Sequence, residues 1–165
     1  MQINNHVKRG HPITFGLLIF FSIIELAISA WLVSMFNKHH NELSGGVSDR
    51  TRYLLFTSIW TVCGSFVLML LFLVFANAGI FTSVVVHLVY LALTWIFWTA
   101  GAAAITAALG GGLDCNLGYI YCAQLNALEG FAWICWILTT FAIVVVMFRS
   151  VSSHKRGDGW TGQLV

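Results

Sequence analysis

Apolar residues form long runs along the chain, separated by short polar segments. The runs cover residues 13–36, 53–76, 80–109 and 123–148. A helix rises about 1.5 Å per residue and a hydrocarbon core is about 30 Å thick, so about 20 apolar residues suffice to cross it. Lipid offers the backbone no hydrogen bonds, which leaves the helix as the structure for each run. The pattern predicts an all-α membrane protein, an antiparallel bundle of four transmembrane helices with short loops.

The polar segments define the ends of these spans. Residues 1–12 and 149–165 form polar tails, residues 37–52 and 110–122 form loops, and residues 77–79 form a short break. The third run is long, so we expect it to tilt or to end among the lipid headgroups. The bundle therefore places both tails on the same side of the membrane.

Composition supports a membrane protein. Apolar residues make up 59% of the chain and charged residues 8%, against about 45–50% and about 25% in soluble domains. The net charge of +2 is too small to indicate a nucleic-acid partner.

Lysine and arginine positions predict the orientation. The side with both tails holds the larger set, and the other side holds Lys38, Arg50 and Arg52. The larger set is Lys8, Arg9, Arg149, Lys155 and Arg156. Because basic residues favour the cytosolic side, we expect both tails in the cytosol.

Two cysteines lie in the loop that would then face the exterior or a lumen. Cys115 and Cys122 flank a glycine-containing segment, and disulfides persist in such compartments. We expect a disulfide between them; the alternative is two unlinked small residues near the interface. Cys63 and Cys135 lie inside spans and are expected to be packing residues.

Tryptophans occur in pairs three residues apart on the last two spans. Trp95 and Trp98 lie on the third, and Trp133 and Trp136 on the fourth. This spacing places each pair on one stripe of its helix. They are candidates for bundle packing or lipid contact, and the alternative is stacking against a bound sterol or another flat lipid.

The third span also carries small residues at helical spacing, including Gly101, Ala104 and Ala108. Small side chains let helix backbones approach closely in lipid. This face can serve the bundle interior or self-association, and we expect the bundle interior.

Three ionisable residues lie within spans: Glu25, His87 and Glu129. Such residues are costly in lipid and are candidates for function. Helix rise places them at different depths, so no pair is assured; a Glu25–His87 contact requires the first and third helices to touch. The alternative is that each carboxyl is protonated or bonded to a polar side chain such as Asn126.

The sequence contains no motif that predicts catalysis. The cysteine loop lacks the Cys-x-x-Cys pair of redox enzymes, and Gly110–Gly112 is followed by no lysine. We expect no catalytic residue, no metal and no cofactor other than a bound lipid or sterol. A small channel or proton-coupled carrier, or an accessory subunit of a larger complex, remains the alternative function.

The pattern resembles the MARVEL domain, a four-helix module, and in particular small four-span plasma-membrane proteins of fungi. The resemblance is carried by Trp98-Thr-Ala-Gly-Ala-Ala-Ala104, the Cys115…Cys122 loop, and the stretch from Gln124 through Phe131 to Trp133. Fungal members often carry an acidic residue early in the third span, near the position of His87 here.

The resemblance implies a non-enzymatic membrane-organising or trafficking protein. Its expected partners are membrane lipids, including a sterol or sphingolipid, other membrane proteins and further copies of the chain in a homo-oligomer. Its expected location is the plasma membrane, with an endomembrane as the alternative. The expected roles are the organisation of membrane microdomains and vesicle-linked export.

Overall fold

The computed structural model describes the backbone of residues 3–74 and 84–154 and the side chains of residues 13–71 and 85–148. The helices are α1 (Ile3–His39), α2 (Gly45–Val74), α3 (Val84–Leu109) and α4 (Cys122–His154), with a 3₁₀ turn at Cys115–Leu117. Each α-helix contains a segment long and apolar enough to cross a membrane: Ile13–His39, Gly45–Leu71, Val85–Leu109 and Cys122–Phe148. The predicted all-α bundle of four spans is confirmed.

The helices form a ring in which chain neighbours pack together. α1 contacts α2, α2 contacts α3, α3 contacts α4, and α4 closes the ring against α1. The end of the bundle that holds His39, Gly45 and the Cys115–Cys122 loop is called the cysteine end below. The opposite end, which holds Ile13, Leu71, Val85 and Phe148 of the spans, is called the tail end. α1 and α3 lie across a diagonal of the ring.

The connection between α1 and α2 is much shorter than residues 37–52. α1 continues to His39, and His40 then takes a left-handed conformation with φ 49°. α2 begins at Gly45 because Ser44 caps it: the Ser44 hydroxyl accepts a hydrogen bond from the Val47 amide at 3.3 Å. Ser44, Gly45 and Gly46 had the composition of a loop, but a serine followed by small residues is also suited to a helix start.

The first and last helices, α1 and α4, extend into the two predicted tails. α1 begins at Ile3, within residues 1–12, and α4 ends at His154, within residues 149–165. Hydropathy marks where a helix meets lipid, and a helix can continue into water beyond that point. The predicted break at residues 77–79 lies outside the described residues, as do residues 80–83 of the third run and the remainder of both tails.

The buried apolar side chains form two clusters. The larger lies toward the cysteine end and includes Leu32, Leu54, Trp98, Ile105 and Leu128. The smaller lies toward the tail end and consists of Phe15, Leu68, Leu91, Ala142 and Val146. Close packing of these side chains, with no water to expel, is the main source of helix association in lipid.

Serine and threonine hydroxyls are interleaved with these clusters. Ser29, Ser58, Thr61 and Thr139 are fully buried. Each donates to the carbonyl four residues earlier in its own helix, at 2.7–2.8 Å. The hydroxyls are thus satisfied locally, which removes the cost of an unpaired polar group in lipid.

The small residues of α3 serve the bundle interior at Gly101. A Cβ atom added there would lie 2.7 Å from Leu54 Cδ2 and 3.3 Å from Tyr53 Cε1, so α3 and α2 approach closely at this point. Ala108 packs against the larger cluster, and Ala104 is half-buried. Ala103 and Ala107 are exposed on the outside of the bundle.

Candidate functional site

Glu25 lies in the middle of the α1 span and is fully buried. Neither carboxyl oxygen has a hydrogen-bond partner among the described residues. The nearby hydroxyls are engaged elsewhere: Ser29 donates to the Glu25 carbonyl, and Ser22 lies 3.8 Å from Cys135 Sγ. Because an ionised carboxyl without a partner is costly at this depth, protonation remains the simplest state for Glu25.

His87 lies in the first turns of α3, fully buried at the tail end. Its ring packs edge-on against Phe15, with centroids 6.1 Å apart. Phe15 and Glu25 are ten residues apart on α1, which corresponds to about 15 Å along the axis. The structure therefore does not bring Glu25 and His87 together.

Glu129 occupies a third level. It lies on α4, two turns from Cys122, and is half-buried. Cys135 on α4 lies beside Ser22 of α1, which is three residues from Glu25. Glu129 is six residues from Cys135 along α4 and therefore lies at a different depth from Glu25. The three ionisable residues thus lie at three different depths in the bundle, as the helix rise predicts.

Each of the four predicted tryptophans donates its indole N–H to a threonine hydroxyl on a neighbouring helix. The bonds are Trp95 to Thr140 (2.9 Å), Trp98 to Thr61 (3.1 Å), Trp133 to Thr106 (3.0 Å) and Trp136 to Thr99 (2.8 Å). Trp98 is fully buried, so of the two predicted roles it has bundle packing and not lipid contact. The other three are half-buried and face both the bundle and its surroundings.

The pairs between α3 and α4 are reciprocal. Trp95 and Thr99 lie four residues apart on α3, and Trp136 and Thr140 lie four apart on α4. In the antiparallel pair, each tryptophan reaches the threonine of the other helix. The repeated Trp-x-x-x-Thr spacing was the sequence signal for these bonds, and tryptophan spacing alone did not reveal it.

A similar exchange joins α2 to α3. Trp60 donates to the Thr94 hydroxyl at 3.1 Å, while Trp98 donates to the Thr61 hydroxyl. Thr94 in turn donates to the Tyr90 carbonyl of its own helix. Trp60 was not singled out from the sequence, yet it takes part in the same set of contacts.

The cysteine end is closed by the loop between α3 and α4. Cys115 and Cys122 are joined as a disulfide, with Cα atoms 5.5 Å apart. Asn126 holds the loop from inside: its Oδ1 accepts from the Leu113 amide at 2.8 Å, and its Nδ2 donates to the Leu113 carbonyl at 2.9 Å. Asn126 was one of the side chains available to a buried glutamate, and in the structure it holds this loop.

The same loop is docked on α1. Tyr121 meets Trp31 edge-on, with ring centroids 5.2 Å apart, and its hydroxyl accepts from Asn41 Nδ2 at 3.2 Å. Tyr121 itself has φ 58°, a conformation that is uncommon outside glycine. These contacts join the two loops of the cysteine end into one layer.

A groove of about 520 Å³ opens on the outside of the bundle between α2 and α3 and is called the α2–α3 groove below. Its lining comprises Phe56, Ile59, Trp60, Cys63, Gly64, Val67, Leu68, Val86 and Tyr90. A Cβ atom at Gly64 would overlap the Tyr90 ring, so the two helices are in close contact at the base of the groove. The groove faces the lipid.

The fold and these contacts define an integral membrane bundle in which tryptophan indoles bond to threonines on neighbouring helices. The sequence matches the MARVEL family, a membrane-associating domain, over residues 7–145. The chain therefore belongs to the MARVEL family. Comparisons with curated proteins and with solved structures gave no match.

Proposed function

We propose that this protein is a non-enzymatic membrane organiser that acts through lipid contacts and helix–helix contacts. The observation that carries the proposal is the small amount of described chain outside the spans. α1 and α2 are joined by five residues between His39 and Gly45, and the α3–α4 loop is held by a disulfide and docked on α1. Lipids and neighbouring helices are the partners within reach of such a surface.

The proposal includes specific partners and a location. It places the protein in the plasma membrane with both tails in the cytosol, where it organises microdomains or supports vesicle-linked export. The partners are a sterol or sphingolipid, other membrane proteins and further copies of the chain. The narrower resemblance to fungal four-span proteins supports this version of the proposal.

Cross-linking in native membranes tests the proposal. We expect oligomers or complexes with other membrane proteins, and enrichment of the protein in membrane fractions of distinct lipid composition. The matched control is a single-span membrane protein expressed at the same level. Isolated monomers distributed evenly across all fractions would contradict the proposal.

A proton-coupled carrier is the second candidate, and Glu25 is the observation that favours it. Its carboxyl is fully buried at mid-span, without a hydrogen-bond partner among the described side chains. Carriers often hold such a group at the bilayer centre. Proton flux into liposomes should then fall on Glu25→Gln substitution; unchanged flux would remove this candidate.

A further inference from the structure

The α2–α3 groove extends along α2 for about the depth of one leaflet. On α2 its lining extends from Phe56 to Leu68, twelve residues that rise about 18 Å. Half of a hydrocarbon core is about 15 Å thick. On α3 the groove is lined near the start of the helix, by Val86 and Tyr90. The groove therefore lies in the leaflet at the tail end.

The lining presents hydrocarbon and aromatic surface to its occupant. Its indole and phenol groups are engaged: Trp60 donates to Thr94, and the Tyr90 hydroxyl lies 3.1 Å from Ser65 Oγ and donates to the Thr61 carbonyl at 3.0 Å. The remaining polar group is the weakly polar thiol of Cys63. A ligand that carries a hydroxyl gains no strong hydrogen bond from these side chains.

The same hydrogen bonds hold the walls in place. The Trp60 and Tyr90 rings are stacked, with centroids 6.0 Å apart and an interplanar angle of 25°. Trp60 is further buttressed edge-on by Phe97, at 5.7 Å between centroids. Walls that are fixed before binding reduce the entropy lost on binding. The groove is thus suited to retain an apolar chain.

A helix from a second copy fits this surface poorly. Helix contacts in lipid favour small residues that let backbones approach. Phe56 and Val67, which are 52% and 53% exposed, project from the groove instead. Gly64 is the small residue of the lining, and the Tyr90 ring already covers it.

We propose that the α2–α3 groove binds one acyl chain of a phospholipid from the leaflet at the tail end of the bundle. This assignment rests on the lipid contacts of the proposed function and adds a phospholipid to the lipids named there. The bound chain lies along α2 against the stacked Trp60 and Tyr90 rings, and its headgroup lies beyond Leu68.

Native mass spectrometry of the full chain tests the assignment after extraction, in mild detergent, from vesicles of phosphatidylcholine and cholesterol. Cys63→Phe fills the groove. Ile137→Phe is the matched control, since Ile137 is 57% exposed on α4, which does not line the groove. We expect one retained phosphatidylcholine on the unaltered chain and on the control. Cys63→Phe should lower the ratio of lipid-bound to lipid-free protein about tenfold, equivalent to about 1.4 kcal/mol.

Other outcomes overturn the assignment. Retained cholesterol in place of phospholipid would assign the groove to a sterol. A dimer that Cys63→Phe abolishes would assign it to a second copy. Equal retention by all three proteins, or retention by none, would mean that the groove holds no lipid beyond ordinary solvation.

A second measurement uses the unaltered chain and does not depend on how a variant folds. Cys63 is an exposed free thiol, Cys135 is buried, and the other cysteines are bonded. Addition of phosphatidylcholine to delipidated protein should slow the labelling of Cys63 by N-ethylmaleimide several-fold. An unchanged rate would contradict the assignment.

The two proposals fail separately. If phosphatidylcholine does not protect Cys63 from labelling, the acyl-chain site is excluded, and the cross-linking result for membrane organisation is unaffected. If cross-linking shows only monomers in native membranes, the organising function is contradicted, and the measured retention of lipid in the groove is unaffected.

Discussion

Hydrogen bonds between tryptophan and threonine are the most regular side-chain contacts of this bundle. Four of the threonine acceptors in turn donate to a carbonyl of their own helix: Thr61, Thr94, Thr99 and Thr140. The indole supplies apolar area at the same time as it satisfies one donor. The polar group is therefore engaged without water at a depth where an unpaired donor is costly.

The Trp136–Thr99 bond gives a quantitative prediction. Thr99→Val keeps the shape of the side chain and removes the acceptor for the Trp136 indole. In a double-mutant cycle with Trp136→Phe, we expect a coupling of about 0.6 kcal/mol and at most about 1.7 kcal/mol, the range found for membrane helices. Unfolding in mixed micelles measures it.

A pair that shares no bond provides the control for that cycle. The Thr51 hydroxyl on α2 donates to the Val47 carbonyl of its own helix, and α2 lies across the ring from α4, so Trp136→Phe and Thr51→Val should add in their effects on the free energy of unfolding. Equal coupling in both cycles would show that the Trp136–Thr99 bond makes no specific contribution.

Substitutions of Glu25 distinguish a neutral carboxyl from a charged one. A protonated carboxyl and an amide are similar in size and both are neutral, so Glu25→Gln should change the free energy of unfolding little. Glu25→Lys places a cation at mid-span and should cost at least about 2.5 kcal/mol. A large loss on Glu25→Gln in thermal unfolding would show that the carboxyl is charged and has a partner.

The packing of whole helices depends on Gly101, where α3 approaches α2. Gly101→Leu forces a side chain against Leu54, whose Cδ2 lies 2.7 Å from the site of the added Cβ. Such overpacking costs about 1–3 kcal/mol. The matched control is Gly130→Leu on α4, where an added Cβ has no neighbour within 4 Å. We expect a lower unfolding temperature for Gly101→Leu alone; equal shifts would mean that helix propensity decides.

The α3–α4 loop depends on one side chain from α4. Asn126→Ala removes two hydrogen bonds to the Leu113 backbone, so the loop should open more often. We expect several-fold faster reduction of the Cys115–Cys122 bond by dithiothreitol, measured as free thiols by mass spectrometry. Gln124→Ala, on the exposed side of the same helix, should reduce at the unaltered rate. Free thiols before reduction would contradict the bond itself.

The sequence predicted the fold of the whole molecule better than the side-chain contacts within it. The four spans follow from local composition, because lipid favours apolar helices regardless of which neighbours they contact. The cysteine pair follows from the composition of a single loop. Helix ends in water were less predictable: the Gly45–Gly46 start of α2 depends on a cap from Ser44. The partners of Trp98 and Asn126 depend on how the helices pack, and the α2–α3 groove is a gap between two surfaces. No single run of residues encodes these features.

The orientation of the bundle in the membrane can be tested at both of its ends. If the basic tails are cytosolic, the cysteine end faces outside, and Leu43 in the α1–α2 connection, 41% exposed, is reachable there. Leu43→Cys in a Cys63→Ala background should react with a membrane-impermeant maleimide on intact cells. Phe148→Cys, at the tail end of α4, should react only after permeabilisation. The reverse pattern would place the disulfide loop in the cytosol, where reducing conditions oppose it, and would invalidate the count of basic residues as a guide to this chain.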